Sequence, residues 1–179
     1  MLQIVTPKLE KWDEGKQEFV YSDSYTLCLE HSLVSLSKWE AKWNKPFLSS
    51  KNKTYEETID YIRCMTVSQA NPKAYENLSD ENLRDIYRYI ESPMTATTFH
   101  EKDEAGENGE QITNELLYYW MINFQIPFEC QKWHLNRLLT LIRVCKIKNS
   151  PPKKMSQQEI MARNAALNKA RKQQMKSKG

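Results

Sequence analysis

Two residues with metal-binding side chains, Cys130 and His134, lie four positions apart in a segment that has the apolar spacing of a helix. Residues at that spacing share one helix face, so a thiolate and an imidazole could contact the same zinc ion. Zinc needs two further ligands, and no second Cys/His pair stands at metal-binding spacing in the sequence. The sequence therefore favours a buried thiol beside a hydrogen-bonded imidazole, and we predict no metal and no cofactor.

Cys64 and Cys145 are candidate nucleophiles, but both stand among apolar residues, which raise a thiol pKa and reduce its reactivity. Arg63 and Arg143 are close in sequence but point to other helix faces. The chain also lacks a Gly-rich phosphate loop, a Gly-x-Ser-x-Gly turn and a His-Glu-x-x-His pair. The acidic run 101–110 does not have the spacing of a calcium loop. We therefore predict no catalytic residue and no enzymatic activity.

Binding to another macromolecule is the function class that the composition favours. The chain contains five Trp and nine Tyr, more than a core of this size needs. Trp, Tyr and Arg dominate the binding energy of protein interfaces. We predict that Trp39, Trp43 and Trp133 contact a partner, with burial in the core as the alternative for each.

The C-terminal residues 151–179 form a basic tail. Eight basic residues oppose one acid there, so the tail carries +7 while residues 1–150 carry −4 of the net +3. Such a tail could contact the phosphates of nucleic acid or an acidic protein. It has no aromatic residue to stack on bases and no recognisable nucleic-acid fold precedes it, so nucleic acid is the less favoured partner. The predicted partner-binding residues of the tail are Lys153, Lys154, Arg163, Lys169, Arg171 and Lys172.

The first thirty residues have the pattern of β-structure. An apolar run at 2–5 is followed by the turn residues at 13–15. Apolar side chains then alternate in two short runs separated by Ser22-Asp23-Ser24, at Phe19, Tyr21, Tyr25, Leu27 and Leu29. This period of two predicts a small antiparallel sheet of two or three strands with one buried face.

Helical spacing of apolar residues begins at about His31 and resumes from 112, after a stretch at 93–99 that favours extended backbone and an exposed loop at 101–110. Thr54 and Ser79 are predicted N-caps. The segment 112–126 is apolar nearly all round and predicts a helix buried on most sides. A second apolar helix is predicted over 129–145, packed on the first as a hairpin at the centre of the core.

These patterns predict an α+β, mainly helical fold, in which a small N-terminal antiparallel β-sheet precedes a helical core and a projecting basic C-terminal helix. The globular domain spans 1–150, with 1–30 β-rich and 31–150 helical, and the basic helical tail spans 151–179. A capping box at Ser156 opens the tail helix, which is predicted to fray from Lys169 onward. The sequence has no apolar run of ~20 residues and no signal peptide, so we predict no membrane association, a cytoplasmic location and reduced cysteines.

Three stretches resemble the tail assembly chaperones of long-tailed bacteriophages. They are HSLVSLSKWE at 31–40, the YYWM, PFE and WHLNRLLTLIR runs within 118–143, and the PPKKMS and RNAALNKAR runs within 151–171. The resemblance spans most of the chain in order.

This resemblance implies a helical, non-catalytic protein that is made in the cytoplasm of the infected host cell. Such chaperones coat the tape measure protein, keep it soluble while tail-tube subunits polymerise around it, and are absent from the finished virion. The implied partner is the tape measure protein or another tail protein. The acidic body and basic tail also suggest self-association along that client. The alternatives are a structural virion protein of the neck or head–tail connector, and a nucleic-acid-binding accessory factor.

Overall fold

A computed structural model describes residues 1–50, 52–99, 111–150 and 157–174. The chain divides into two compact units, Met1–Lys148 and Asn149–Gly179. The strands are β1 (Leu2–Val5), β2 (Glu10–Asp13), β3 (Glu18–Tyr21) and β4 (Thr26–Leu29). The α-helices are α1 (Leu33–Trp43), α2 (Tyr55–Met65), α3 (Asp80–Glu91), α4 (Asn114–Asn123), α5 (Leu135–Asn149) and α6 (Gln157–Gln174), with 3-10 helices at Pro72–Tyr75 and Phe128–Lys132. The predicted α+β, mainly helical fold is confirmed.

The strands form one long, interrupted hairpin. β1 pairs antiparallel with β4, and β2 pairs antiparallel with β3. Facing partners, such as Leu2 with Leu29 and Glu10 with Tyr21, keep the same register in both ladders. Backbone hydrogen bonds also join the two arms between the ladders. Residues 2–29 therefore extend as one ribbon with an inner ladder, β1–β4, and an outer ladder, β2–β3.

The two ladders differ in burial. In the inner ladder, Ile4, Leu27 and Leu29 enter the core, as the alternating pattern predicts. In the outer ladder, every residue of β3 is exposed, so the prediction of a buried face is wrong for Phe19 and Tyr21. The physical reason is that, among the elements that the structure describes, β2 and β3 pack chiefly on each other.

The core lies between the inner ladder and the helices. α1 packs on α2, and α4 and the second 3-10 helix also pack on α1. The predicted caps at Thr54 and Ser79 are present, and each accepts a hydrogen bond from a backbone N–H three residues later. The largest fully buried side chains are Trp39, Leu27, Leu29, Leu33, Leu36, Ile62, Met65, Ile86, Leu117, Met121, Leu135 and Leu138.

Helix α4 departs from the prediction in two ways. Among the described elements its main packing partner is α1, whereas the sequence predicts α5 in that place. It also buries one side only, because Leu117 and Met121 face the core while Tyr119 and Ile122 are exposed. A segment that is apolar all round gives no periodic signal for the side that a neighbour will cover.

Polar contacts position α5. The backbone N–H of Leu135 donates to the carbonyl of His31 at 2.8 Å. The Asn136 amide donates to the carbonyls of Ile90 and Ser92, at 2.8 and 2.9 Å, and so joins the end of α3 to the first turn of α5. These contacts join the segment between β4 and α1, the end of α3 and the start of α5.

A buried carboxylate connects three further segments. Glu40 of α1 accepts a hydrogen bond from the Phe47 N–H at 2.7 Å. Its other oxygen accepts from the Asn114 N–H at 2.7 Å and from the Asn114 side-chain amide at 2.8 Å. The Asn114 N–H belongs to the first turn of α4, where backbone donors have no partner within the helix and negative charge is favoured. Glu40 therefore holds α1, the chain after α1 and the start of α4 together.

Helix α6 makes up the described part of the basic tail. Residues 169–174 are helical, so the prediction of fraying from Lys169 is wrong for those positions. The predicted cap at Ser156 and the acidic run 101–110 lie outside the described residues. The four cysteines are free thiols. No helix in the described residues is long and apolar enough to cross a membrane.

Candidate partner-binding hairpin

Local hydrogen bonds fix the turn that joins β2 to β3 in the outer ladder. The Asp13 side chain accepts hydrogen bonds from the backbone N–H groups of Gly15 and Lys16, at 3.0 and 3.2 Å. This is the local side-chain to backbone bonding that makes Asp a turn residue. Gln17 follows with φ 52°, the left-handed conformation that closes the loop before β3.

One side of the outer ladder carries three aromatic side chains. Directly opposed residues of an antiparallel pair share a face, and Trp12 lies opposite Phe19 while Glu10 lies opposite Tyr21. The Trp12 and Phe19 rings meet edge to face, with centroids 4.9 Å apart. We call Trp12, Phe19 and Tyr21 the aromatic face. They are 52%, 58% and 67% exposed, so a single surface of a short ribbon presents three large apolar side chains to solvent.

Tyr21 is held in place by Glu10. The phenol donates a hydrogen bond of 2.6 Å to the Glu10 carboxylate. That carboxylate raises the pKa of Tyr21, with a smaller contribution from burial, so the phenol stays protonated at neutral pH. The aromatic face is thus ordered by contacts within the ribbon.

The opposite side of the outer ladder is different in character. Asp13 lies opposite Glu18 there, and Val20 is the apolar residue, 40% exposed. The second residue pair on this side is Lys11 with Val20, so the ribbon has one aromatic side and one side of mainly charged residues of both signs. Val20 provides a matched control for the aromatic face, since it lies on the same strand as Phe19 and Tyr21 and points the other way.

The base of the outer ladder is fixed to the body. Asn77, which is 2% exposed, donates to the Ser22 hydroxyl at 2.8 Å and to the Asp23 carbonyl at 3.2 Å. The Leu9 N–H donates to the same hydroxyl at 2.9 Å. These bonds secure both arms of the ribbon where it leaves the core. The sequence did not predict the aromatic face, although the aromatic residues flanking the turn at 13–15 could have indicated it.

The three predicted tryptophans lie apart from this hairpin. Trp39 is fully buried, and its indole N–H donates to the Glu57 carbonyl at 2.9 Å. This placement contradicts a role as a surface anchor, because a core position withdraws the ring from any partner. Trp43 is partly exposed and donates to the Asp60 carboxylate at 2.9 Å. Trp133 is also partly exposed.

The predicted basic residues of the tail lie on α6 where the structure describes them. Arg163, Lys169, Arg171 and Lys172 are exposed. At 3.6 residues per turn their spacing distributes them around the helix, so they do not form a single basic stripe. Lys153 and Lys154 lie outside the described residues.

Of the cysteines considered as reactive groups, Cys130 departs from its predicted position on an α-helix, and Cys64 has the raised pKa that the sequence predicts. Cys130 lies in the 3-10 helix Phe128–Lys132 and His134 lies beyond it, so the two do not share an α-helix face. Burial raises the pKa of Cys64, with a smaller effect from Asp60. Within the described part of the chain, no three His, Cys, Asp or Glu side chains are arranged to hold a metal ion.

Two neighbouring histidines, the buried His31 and the half-buried His134, contact Tyr61 of α2 and Tyr89 of α3. The His31 ring bonds through Nδ1 to the Tyr61 hydroxyl at 2.6 Å, and its centroid is 5.0 Å from that of His134. Burial, together with the neighbouring His134, lowers the pKa of His31 to about 3. His134 donates from Nε2 to the Tyr89 carbonyl at 2.9 Å, and burial lowers its pKa as well. Both rings are therefore neutral at physiological pH.

Comparison of the chain with protein-family models, with curated protein sequences and with solved structures found no match.

Proposed function

We propose that this protein is a non-catalytic binding protein that holds a protein partner on the aromatic face of its N-terminal hairpin. The observation that carries the proposal is the exposure of Trp12, Phe19 and Tyr21 on one side of a ribbon anchored at its base. Rigid aromatic side chains of this kind supply most of the binding energy in protein interfaces. On a highly charged protein, an exposed apolar surface is explained if a partner covers that surface during function.

The partner that we propose is the tape measure protein of a long-tailed phage, which makes this chain a tail assembly chaperone in the host cell cytoplasm. The resemblance of 31–40, 118–143 and 151–171 to such chaperones supports this choice. A long helical client exposes apolar stripes that need cover until the tail tube surrounds them. The exposed Tyr119 and Ile122 on α4 offer additional apolar contact for such a client.

Replacing the aromatic face tests this proposal. The variant Trp12→Ser/Phe19→Ser/Tyr21→Ser is expected to capture the tape measure protein about 30-fold less well than the wild type, because three anchors are lost. The matched control Val20→Ser should capture it normally. Both should keep the wild-type melting temperature, since none of these side chains lies in the core. The measurement is quantitative mass spectrometry of nuclease-treated pull-downs from cells infected with the parent phage.

Other outcomes of that experiment would count against the proposal. Normal capture by the triple variant would remove the aromatic face as the binding site. Recovery of portal, neck or tail-tube subunits, with the bait present in purified virions, would support the structural virion protein. Loss of all capture on nuclease treatment would support the nucleic-acid-binding factor.

Removal of the basic tail gives a separate prediction about self-association. If tails contact the acidic bodies of neighbouring copies along the client, deletion of 151–179 is expected to reduce the number of copies bound per client. Raising the salt concentration should weaken wild-type assembly in the same direction, because screening reduces exposed charge pairing. Light scattering of the purified complexes measures both effects. Unchanged assembly by the truncated protein would contradict tail-mediated association.

A further inference from the structure

A cleft lies between α2 and α3, and the residues that line it belong to neither ladder of the hairpin. Its volume is about 160 Å³, and its walls are mainly apolar, with contributions from Phe47, Ile62, Leu83, Ile86 and Ile90. A cavity of this volume is comparable to apolar protein cavities that hold a benzene-sized ring. The cleft is partly open to solvent, since Tyr87 at its edge is 48% exposed.

A lysine stands at this apolar cleft. The Lys53 ammonium donates to the Ser50 carbonyl at 2.8 Å and lies 4.1 Å from the centroid of the Phe47 ring. An ammonium group has three N–H donors, and in the described residues this is the hydrogen bond that Lys53 makes. Donors therefore remain for a further acceptor at the edge of the cavity.

The charges around Lys53 favour an anion as that acceptor. The carboxylate of Glu57 acts electrostatically on Lys53, and this carboxylate forms an ion pair with Lys45 at 2.6 Å. Its negative charge is thereby largely compensated. The Lys53 side chain is half-buried, which lowers its pKa. A partly desolvated cation attracts an anion more strongly than an exposed one.

We propose that this cleft binds a small monocarboxylate that carries one ring-sized or short branched apolar group. The apolar group fills the cavity between Ile62, Leu83 and Ile86, and the carboxylate accepts hydrogen bonds from Lys53. One cation beside a mainly apolar cavity suits a single negative charge better than a phosphate, which needs several donors. This site is independent of the proposed function of the hairpin.

Benzoate is the probe for this site, with benzyl alcohol as its neutral counterpart of the same size. Titration is followed by NMR of the methyl groups of Ile62, Leu83 and Ile86 in the full chain at neutral pH. Benzoate is expected to bind about tenfold more tightly than benzyl alcohol, the size of effect that a charge-assisted hydrogen bond gives. Lys53→Met keeps the aliphatic stem and should remove this preference without changing the affinity for benzyl alcohol.

A second variant tests the contribution of the cavity separately from that of the Lys53 charge. Leu83→Phe narrows the cavity and is expected to weaken both ligands while Lys53 stays in place. The site is refuted if benzoate at millimolar concentrations leaves these methyl resonances unmoved in the wild type. An equal preference for benzoate in Lys53→Met would also refute it, since the carboxylate would then bind elsewhere. Circular dichroism confirms that each variant is folded.

Discussion

Glu40→Ala is expected to lower the free energy of unfolding by about 3–5 kcal/mol. The Glu40 carboxylate is 6% exposed and accepts hydrogen bonds from the Phe47 N–H and from two donors of Asn114. Alanine removes the carboxylate that accepts these hydrogen bonds, and water does not readily reach the site to replace it. The cost of desolvating each N–H donor is then uncompensated. The first turn of α4 also loses the negative charge that stabilises its N-terminus. Urea unfolding followed by tryptophan fluorescence measures the change.

Two further variants identify the cause of this loss. Glu40→Gln preserves the side-chain volume, but it replaces one accepting carboxylate oxygen by an NH₂ group. That NH₂ group would face an N–H donor, so we expect this variant to be destabilised as well. Glu91→Ala, at an exposed acid in the last position of α3, should change stability by no more than about 0.5 kcal/mol. A loss below about 1 kcal/mol in Glu40→Ala would show that the carboxylate does not hold these segments together.

Mild acid is expected to destabilise the protein through the buried His31 and the half-buried His134. The folded pKa of His31 is about 3, below the ordinary value of 6.5, so between these values the unfolded chain binds a proton that the folded chain excludes. Stability is therefore complete above the unfolded pKa and falls as the pH decreases toward the folded pKa. From pH 6.5 to roughly pH 5, His31 alone accounts for about 1.5 kcal/mol. The lowered pKa of His134 adds to the loss in the same direction.

The double variant His31→Phe/Tyr61→Phe isolates this effect. It removes both partners of the 2.6 Å hydrogen bond, which leaves no unpaired buried group from that bond and limits the loss at neutral pH. Urea unfolding at several pH values between about 5 and 7 should then show a shallower slope than in the wild type. The single variant Tyr61→Phe should keep the slope, because His31 stays buried. An unchanged slope in the double variant would assign the acid sensitivity to other groups.

Local features of the fold could be predicted from the sequence because they depend on residues close together in the chain. The caps at Thr54 and Ser79 each need one hydrogen bond that spans three residues. The apolar stripe of α1 and the alternation of β4 follow the periods of 3.6 and 2 that define these elements. The antiparallel pairing at the N-terminus follows from the turn residues at 13–15.

Features that depend on distant residues could not be predicted in this way. The bond of Glu40 to Asn114 joins positions 74 apart, and that of Asn77 to Ser22 joins positions 55 apart. A period of two in β3 and an all-apolar run in α4 indicate the element but not which side another element will cover. For that reason the sequence placed Trp39 among the binding residues, where the structure buries it, and missed Trp12 in the aromatic face.

The shared register of the two ladders lets one ribbon contribute to the core at its base and carry exposed side chains at its end. The inner ladder contributes Ile4, Leu27 and Leu29 to the core, whereas the outer ladder continues the same ribbon and places its aromatic side chains outside the core. Substitutions beyond Leu9 and before Ser22 can therefore accumulate with little effect on the stability of the body. If the aromatic face binds a client as proposed, changes in about a dozen residues can adapt it to a changing client, and the same ribbon offers a position at which a different recognition sequence can be grafted.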